Sequence, residues 1–169
     1  MKATGVVRKI DDLGRIVIPK EIRRTLKINE GDSIEIFVDD SSVVLKKYSM
    51  LDNMLELVDK IVGIFYRIYK KSILITDKEK VIASSKNIES VYLNNNLSNF
   101  IKDSINKRLE VVTDNSIING IDVEKYFMLP IIANSDAIGS IIMIDDKIDN
   151  TDKNIIRLIN AILVKNVEE

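Results

Sequence analysis

The first 48 residues alternate too regularly to be unstructured and are too few to fold unaided. Ala3 to Ile10 is rich in β-branched residues and predicts a strand, with Gly5 as a bulge or bend. Asp11-Asp12-Leu13-Gly14 predicts a turn, and Arg15 to Ile18 a second short strand that enters a helix at Pro19. Proline suits a first helical position, because its missing N–H would have no partner there and its φ is already near helical. In Ser33 to Asp39, the residues Ile34, Ile36 and Val38 share one face; in Ser42 to Lys47, Val43 and Leu45 lie opposite Val44 and Lys46. Asn29-Glu30-Gly31-Asp32 and Asp39-Asp40-Ser41 supply the turns. A domain of this size usually needs a disulfide or a metal to stay folded. The chain has no cysteine and no histidine, so neither is on offer. A second copy of the same segment can complete the core, and the pattern predicts an intertwined dimer.

Charge is distributed unevenly over a chain whose formal net charge is -1. From Met1 to Lys27 the bases are Lys2, Arg8, Lys9, Arg15, Lys20, Arg23, Arg24 and Lys27, against Asp11, Asp12 and Glu21 alone. Counted at 100° per residue from Pro19, Lys20, Arg23, Arg24 and Lys27 fall on one helical face, with Ile22 and Leu26 roughly opposite. A basic stripe on a helix too short to persist alone predicts a polyanion-binding surface carried by whatever the apolar side packs on. The competing reading is a solvated charged face.

The missing residue types also exclude chemistry. Without cysteine there is no disulfide framework and no thiol nucleophile. Without histidine the usual general base is absent, and a zinc site would rest on carboxylates alone. No enzymatic function is expected. No apolar run approaches a membrane span, and the N-terminus lacks the apolar core of a signal peptide, which predicts a cytoplasmic protein.

After Lys47 the periodicity changes. Leu51, Leu55, Val58, Val62, Phe65 and Tyr69 recur at spacings of four and three, with Met54, Ile61 and Ile68 as a second apolar line. The spacing predicts a helix over 51–70 able to face both its own domain and another subunit; an ordinary buried helix is the plainer reading. Strands are expected at Ser72 to Thr76, Lys80 to Ser85, Glu110 to Thr113, Lys125 to Ile132 and Ala137 to Asp145, the last two joined at Asn134-Ser135-Asp136. Helices are expected at Leu97 to Arg108 and Thr151 to Val167, the latter capped by Asn150 or Thr151. The polar stretches Asn94-Asn95-Asn96 and Asn115 to Asn119 read as surface loops. The whole is an α+β chain in three parts: 1–48, a linker or oligomerisation helix at 49–70, and 71–169.

The span MKATGVVRKIDDLGRIVIPKEIRRTLKINEGDSIEIFVDDSSVVLKKY resembles the AbrB-type DNA-binding domain of bacterial transition-state regulators over its whole length. The resemblance rests on a GRxVIPxExRRxL core with its preceding basic strand and following hairpin. It implies a swapped-hairpin β-barrel dimer, with DNA-contacting arginines at Arg8, Arg15, Arg23 and Arg24 and with Lys9, Lys20 and Lys27 as accompanying cations. Arginine suits such a surface because its planar fork spans two phosphate oxygens or the O6/N7 edge of guanine.

The segments KKSILITDKEKVIASS, YLNNNLSNFIKDSINKR and LPIIANSDAIGSIIMID are similar to the GAF-like α/β sandwich, built on an antiparallel sheet, that follows such a domain in the stage V sporulation protein T family. That resemblance implies a regulator of sporulation (forespore) genes, activator or repressor, that binds double-stranded DNA. It implies a homodimer through the N-terminal domain and a homotetramer through the GAF-like domains and helices, nucleoid-associated and away from membranes. No particular cofactor is implied, although GAF-like domains can sense small molecules. An antitoxin built on the same DNA-binding fold, or a ligand-sensing regulator of another pathway, is the alternative. Such antitoxins usually end in a flexible toxin-wrapping tail, whereas Leu51 to Val167 is patterned as a folded domain.

Overall fold

A computed structural model describes residues 4–168. The chain forms two compact units that divide between Tyr48 and Ser49.

In the first unit, helix α1 (Lys20–Thr25) is followed by an antiparallel hairpin, β1 (Ile34–Asp39) and β2 (Ser42–Lys47). Ile36 pairs with Leu45 and Val38 with Val43, as the alternation predicts. Neither expected strand upstream of α1 is formed among residues 4–18; Ala3 lies outside the described residues. The reason is the hydrogen-bond inventory. A strand exists only when a neighbouring backbone accepts and donates along its length. Here the backbone bonds among described residues are Asp11 N–H to Arg15 O at 3.1 Å and Gly14 N–H to Asp11 O at 3.0 Å, which close a turn and stop. No described residue of this unit is buried. Ile36, Val38 and Val43, on one face of the hairpin, are 65%, 82% and 65% exposed.

In the second unit, a five-stranded antiparallel sheet runs in the order β4-β3-β7-β6-β5: β3 (Ser72–Thr76), β4 (Val81–Ser84), β5 (Val111–Thr113), β6 (Tyr126–Ala133) and β7 (Asp136–Ile144). Period-two alternation sends Ile73, Ile75, Phe127, Ile141 and Met143 to one face and Leu74, Tyr126, Met128 and Ile142 to the other. The first face is covered by α2 (Leu55–Tyr69) and α5 (Asn150–Glu168) through Val58, Val62, Phe65, Ile156, Ile159 and Leu163. The second is covered by α3 (Glu89–Tyr92) and α4 (Asn99–Asn106) through Tyr92, Ile101 and Ile105.

Several details fix this sheet. Pro130 lies on the part of β6 beyond its pairing with β5, next to a bulge at Ile131/Ile132, so its missing N–H removes no rung on that side. Gly139 is required by a close approach: a Cβ there would lie 1.9 Å from the Thr76 carbonyl oxygen. Beside it, the buried Thr76 and Ser140 hydroxyls pair at 2.8 Å. The helix predicted over 51–70 starts late, as a 3-10 turn at Asp52–Met54 before α2, because Leu51 is drawn into the core. The expected caps of α5 are also displaced. Asp149 accepts from Asp152 N–H at 2.9 Å and Asp152 from Asp149 N–H at 3.0 Å, a reciprocal capping box one residue earlier than foreseen. Lys71 bonds both Asp152 carboxylate oxygens at 2.8 Å. Burial alone would lower the Lys71 pKa, but the Asp152 bond and the charges of Asp152, Asp145 and Asp149 raise it on balance. Burial likewise works against the Asp152 carboxylate, and the Lys71 and Asp149 bonds hold it below the usual range.

Candidate nucleic-acid interface

The seven cations expected to meet DNA all lie in the first unit, on three successive pieces of backbone. Arg8 and Lys9 stand on the extended segment before the turn, both exposed. Arg8 Nη1 donates to the carbonyl of Val7 at 3.0 Å. Arg15 follows the turn, where Gly14 takes a φ of +75°, a value that a side chain would strain. The Asp11 carboxylate accepts from Leu13 N–H at 3.1 Å, Arg15 N–H at 2.7 Å and Arg15 Nε at 2.8 Å. The Arg15 backbone and side-chain bonds hold that carboxyl below the usual range. The sequence reading counts Asp11 only as a turn former. The i,i+4 spacing of an acid and an arginine across a tight turn is the signal that points to more.

Lys20, Arg23 and Arg24 lie on α1, with Pro19 at its N-cap rather than inside it. Arg23 is half-buried and its Nε donates to the carbonyl of Ile18 at 3.2 Å. The Arg24 side chain makes no hydrogen bond or ion pair among the described residues and is exposed. Lys27 departs from the predicted stripe. It sits past the helix end with φ +53°, while Ile28 N–H bonds Arg23 O at 2.8 Å and Lys27 N–H bonds Arg24 O at 3.3 Å. Those two bonds are a Schellman motif with lysine in the left-handed position, so 100° counting fails at its last step. The bend is braced by Lys47, which bonds the Lys27 carbonyl at 3.1 Å and pairs with Asp32 at 2.9 Å.

In the second unit, Asn94-Asn95-Asn96 is exposed as expected, but Asn115 to Asn119 is not a plain surface loop. Ile117 is fully buried and Ile118 4% exposed, Ser98 N–H bonds Ile117 O at 2.8 Å, and Leu97 bridges Ile118. Apolar residues flanked by asparagines gave a polar average that concealed two core positions. Below them the Tyr126 hydroxyl is buried without a hydrogen-bond partner among the described residues, and burial pushes its pKa well up. No group of residues suited to hold a metal ion occurs among the described residues. No described helix is long and apolar enough to cross a membrane.

Comparison with known proteins fits these two units to two families. Residues 7–51 match the model of the antidote-toxin recognition MazE, bacterial antitoxin, family, and residues 53–168 match the stage V sporulation protein T C-terminal, transcription factor, family. Over 48 residues the chain is 65% identical to the transition state regulatory protein AbrB of Bacillus subtilis, covering 28% of this chain and 50% of that one. The fold of the GAF domain of the nutrient sensor CodY from Clostridium difficile covers 88% of this chain and 94% of that one, with a TM-score of 0.50 at 14% identity, a likeness of fold alone. The architecture is therefore an AbrB-like domain joined to a GAF-like domain, the make-up of a transcription factor. Stage V sporulation protein T of Bacillus subtilis is 43% identical over 150 residues, which cover 85% of this chain and 84% of the relative. The chain belongs to the stage V sporulation protein T family and is a sporulation transcription regulator.

Proposed function

We propose that the first unit binds double-stranded DNA as an intertwined homodimer, and that Arg8, Arg15, Arg23 and Arg24 make the contacts, with Lys9, Lys20 and Lys27 adding screening charge. One observation carries the reading: the four arginines lie within residues 7–51, which match one family model, in a chain 65% identical over 48 residues to a transition state regulatory protein. The exposure of Ile36, Val38 and Val43 supports the dimer, since a contiguous apolar face on one hairpin marks a surface that a second copy can cover. Salt titration of operator binding tests the contacts. Arg→Ala at any of the four is expected to weaken binding by about 1–3 kcal/mol, with a shallower salt slope where a phosphate contact is lost. Unchanged affinity and slope would remove that residue.

The second unit assembles two such dimers into a tetramer. Leu55, Ile64 and Ile68 on α2 and Leu158 and Ile162 on α5 stay exposed after both helices have packed on the sheet, and they supply the surface. Two DNA-binding heads on one frame raise affinity for paired sites through effective concentration. Light scattering on 1–50 and on the whole chain tests this, and equal stoichiometry would refute it. The protein acts in the cytoplasm on nucleoid DNA, without catalysis. The match of residues 7–51 to the antitoxin family supports a second reading, toxin binding. A DNA-shift assay with and without a toxin partner discriminates the two.

A further inference from the structure

Asp11 is not among the residues credited with DNA contact, yet it organises one of them. Its Oδ1 closes the turn by accepting from Leu13 and Arg15 N–H, and its Oδ2 accepts from Arg15 Nε at 2.8 Å. One carboxylate thus fixes both the backbone that carries Arg15 and the plane of its guanidinium. The two side chains are 70% and 37% exposed, so the pair is a weak contributor to folding. Its effect lies in orientation. A guanidinium presents five N–H groups in one rigid plane, and taking Nε leaves the four on Nη1 and Nη2, of which one from each forms a parallel pair along the end edge. Those four have no partner among the described residues. That edge is a fork matched to guanine O6/N7 or to two phosphate oxygens. Part of the rotamer freedom that Arg15 would lose on contact is already lost, which favours binding where geometry fits.

We propose that Asp11 is a positioning residue for DNA recognition, holding Arg15 through Nε so that its Nη edge meets the duplex pre-oriented. The inference rests on the DNA reading above. It makes Asp11 act in two directions: its charge opposes attraction to any duplex, while its grip on Arg15 strengthens binding to a fitted one. An acid that was merely a bystander would give only the first effect, so removing it would tighten binding to all DNA.

Asp11→Asn in the full chain separates the two roles. The amide oxygen still serves the turn N–H groups, but the amide nitrogen cannot accept from Arg15 Nε. Binding is measured to a duplex selected from random DNA by the wild-type protein, and to an unselected duplex of equal length. The expected result is roughly tenfold weaker binding to the selected duplex, about the weight of one charge-assisted contact, with unchanged or tighter binding to the other. In an Arg15→Ala background, Asp11→Asn should no longer weaken binding. The Arg15 Nε–Hε resonance should move to the position of a free arginine while the Leu13 and Arg15 amides stay in place. Should those amides move, Arg15→Lys reads the same point: it keeps the charge without the fork and should lose only the selected duplex. Asp11→Asn binding both duplexes as tightly as wild type or tighter, weakening that persists without Arg15, or Arg15→Lys weakening both duplexes equally would overturn the proposal. Wild-type protein that bound neither duplex would overturn the DNA reading and this inference together, whereas the variant results touch the inference alone.

Discussion

The two units solve the burial problem in opposite ways. The second closes a core on each face of its sheet, with Ile73, Ile75, Phe127 and Ile141 fully buried on one side and Leu74, Tyr126, Met128 and Ile142 on the other. The first buries no described residue, although its hairpin carries seven apolar residues, Ile34, Ile36, Phe37, Val38, Val43, Val44 and Leu45. Apolar content alone therefore does not make a stable fold; a second surface has to meet it. The second unit carries that surface in its own helices, and the first has none among its described residues, which is the feature behind the dimer proposed above.

The largest test of this contrast is Gly139→Ala. The atom in the way is a backbone oxygen, so the sheet itself must shift, and a loss of about 3 kcal/mol is expected in urea unfolding of the second unit. An unchanged midpoint would mean that β3 and β7 part easily. Next comes Ile36→Ala in the first unit. If a partner chain covers the hairpin, the loss is about 2–3 kcal/mol and appears in a transition whose midpoint rises with protein concentration. If Ile36 stays as exposed as the single chain leaves it, the change is within about 0.5 kcal/mol and independent of concentration.

Acid gives a milder comparison. The Asp152 pKa is lowered from 3.8, so its contribution is present above that value and fades as pH falls through the folded one. The Lys71 pKa is raised from 10.5, so its share persists below 10.5 and is lost as pH rises through the folded value. Thermal melts should show the second unit losing stability below about pH 4, where carboxylates titrate. Asp152→Asn should flatten that acid limb, and an unaltered limb would assign it to other groups. Smallest is Lys27→Gly. Relief of a left-handed lysine should stabilise the first unit by about 1 kcal/mol while lowering the salt dependence of DNA binding. Unchanged salt dependence would take Lys27 out of the interface.

What the sequence disclosed follows the same division. Strand alternation located β1, β2, β3, β4, β6 and β7 to within a residue or so, because each has its partner within the chain. Residues 4–10 and Arg15 to Ile18 have the same composition without such a partner among the described residues, and composition does not record whether a backbone neighbour exists. At the proposed interface, the spacing of the arginines can be read from the sequence and their hydrogen-bond geometry cannot. Lys27 left the expected stripe through a cap that lysine rarely occupies, and Asp11 read as a turn residue because the bond to Arg15 Nε depends on where the turn aims the side chain. In the long second-domain seam, Val58, Val62 and Phe65 went to the sheet while Leu55 and Tyr69 remained 39% and 43% exposed. Heptad spacing names a face but not what covers it.

The orphaned hydroxyl of Tyr126 gives the molecule a built-in optical gauge. Enclosed between sheet and short helices, that phenol is held protonated well above the ordinary tyrosine range by burial first and by Asp114 and Tyr92 after it. In an alkaline titration followed by ultraviolet absorbance, its tyrosinate step should coincide with collapse of the GAF-like half rather than precede it. Tyr126→Phe should erase that step without loosening the surrounding core, since the aromatic ring stays and only an unanswered polar atom departs.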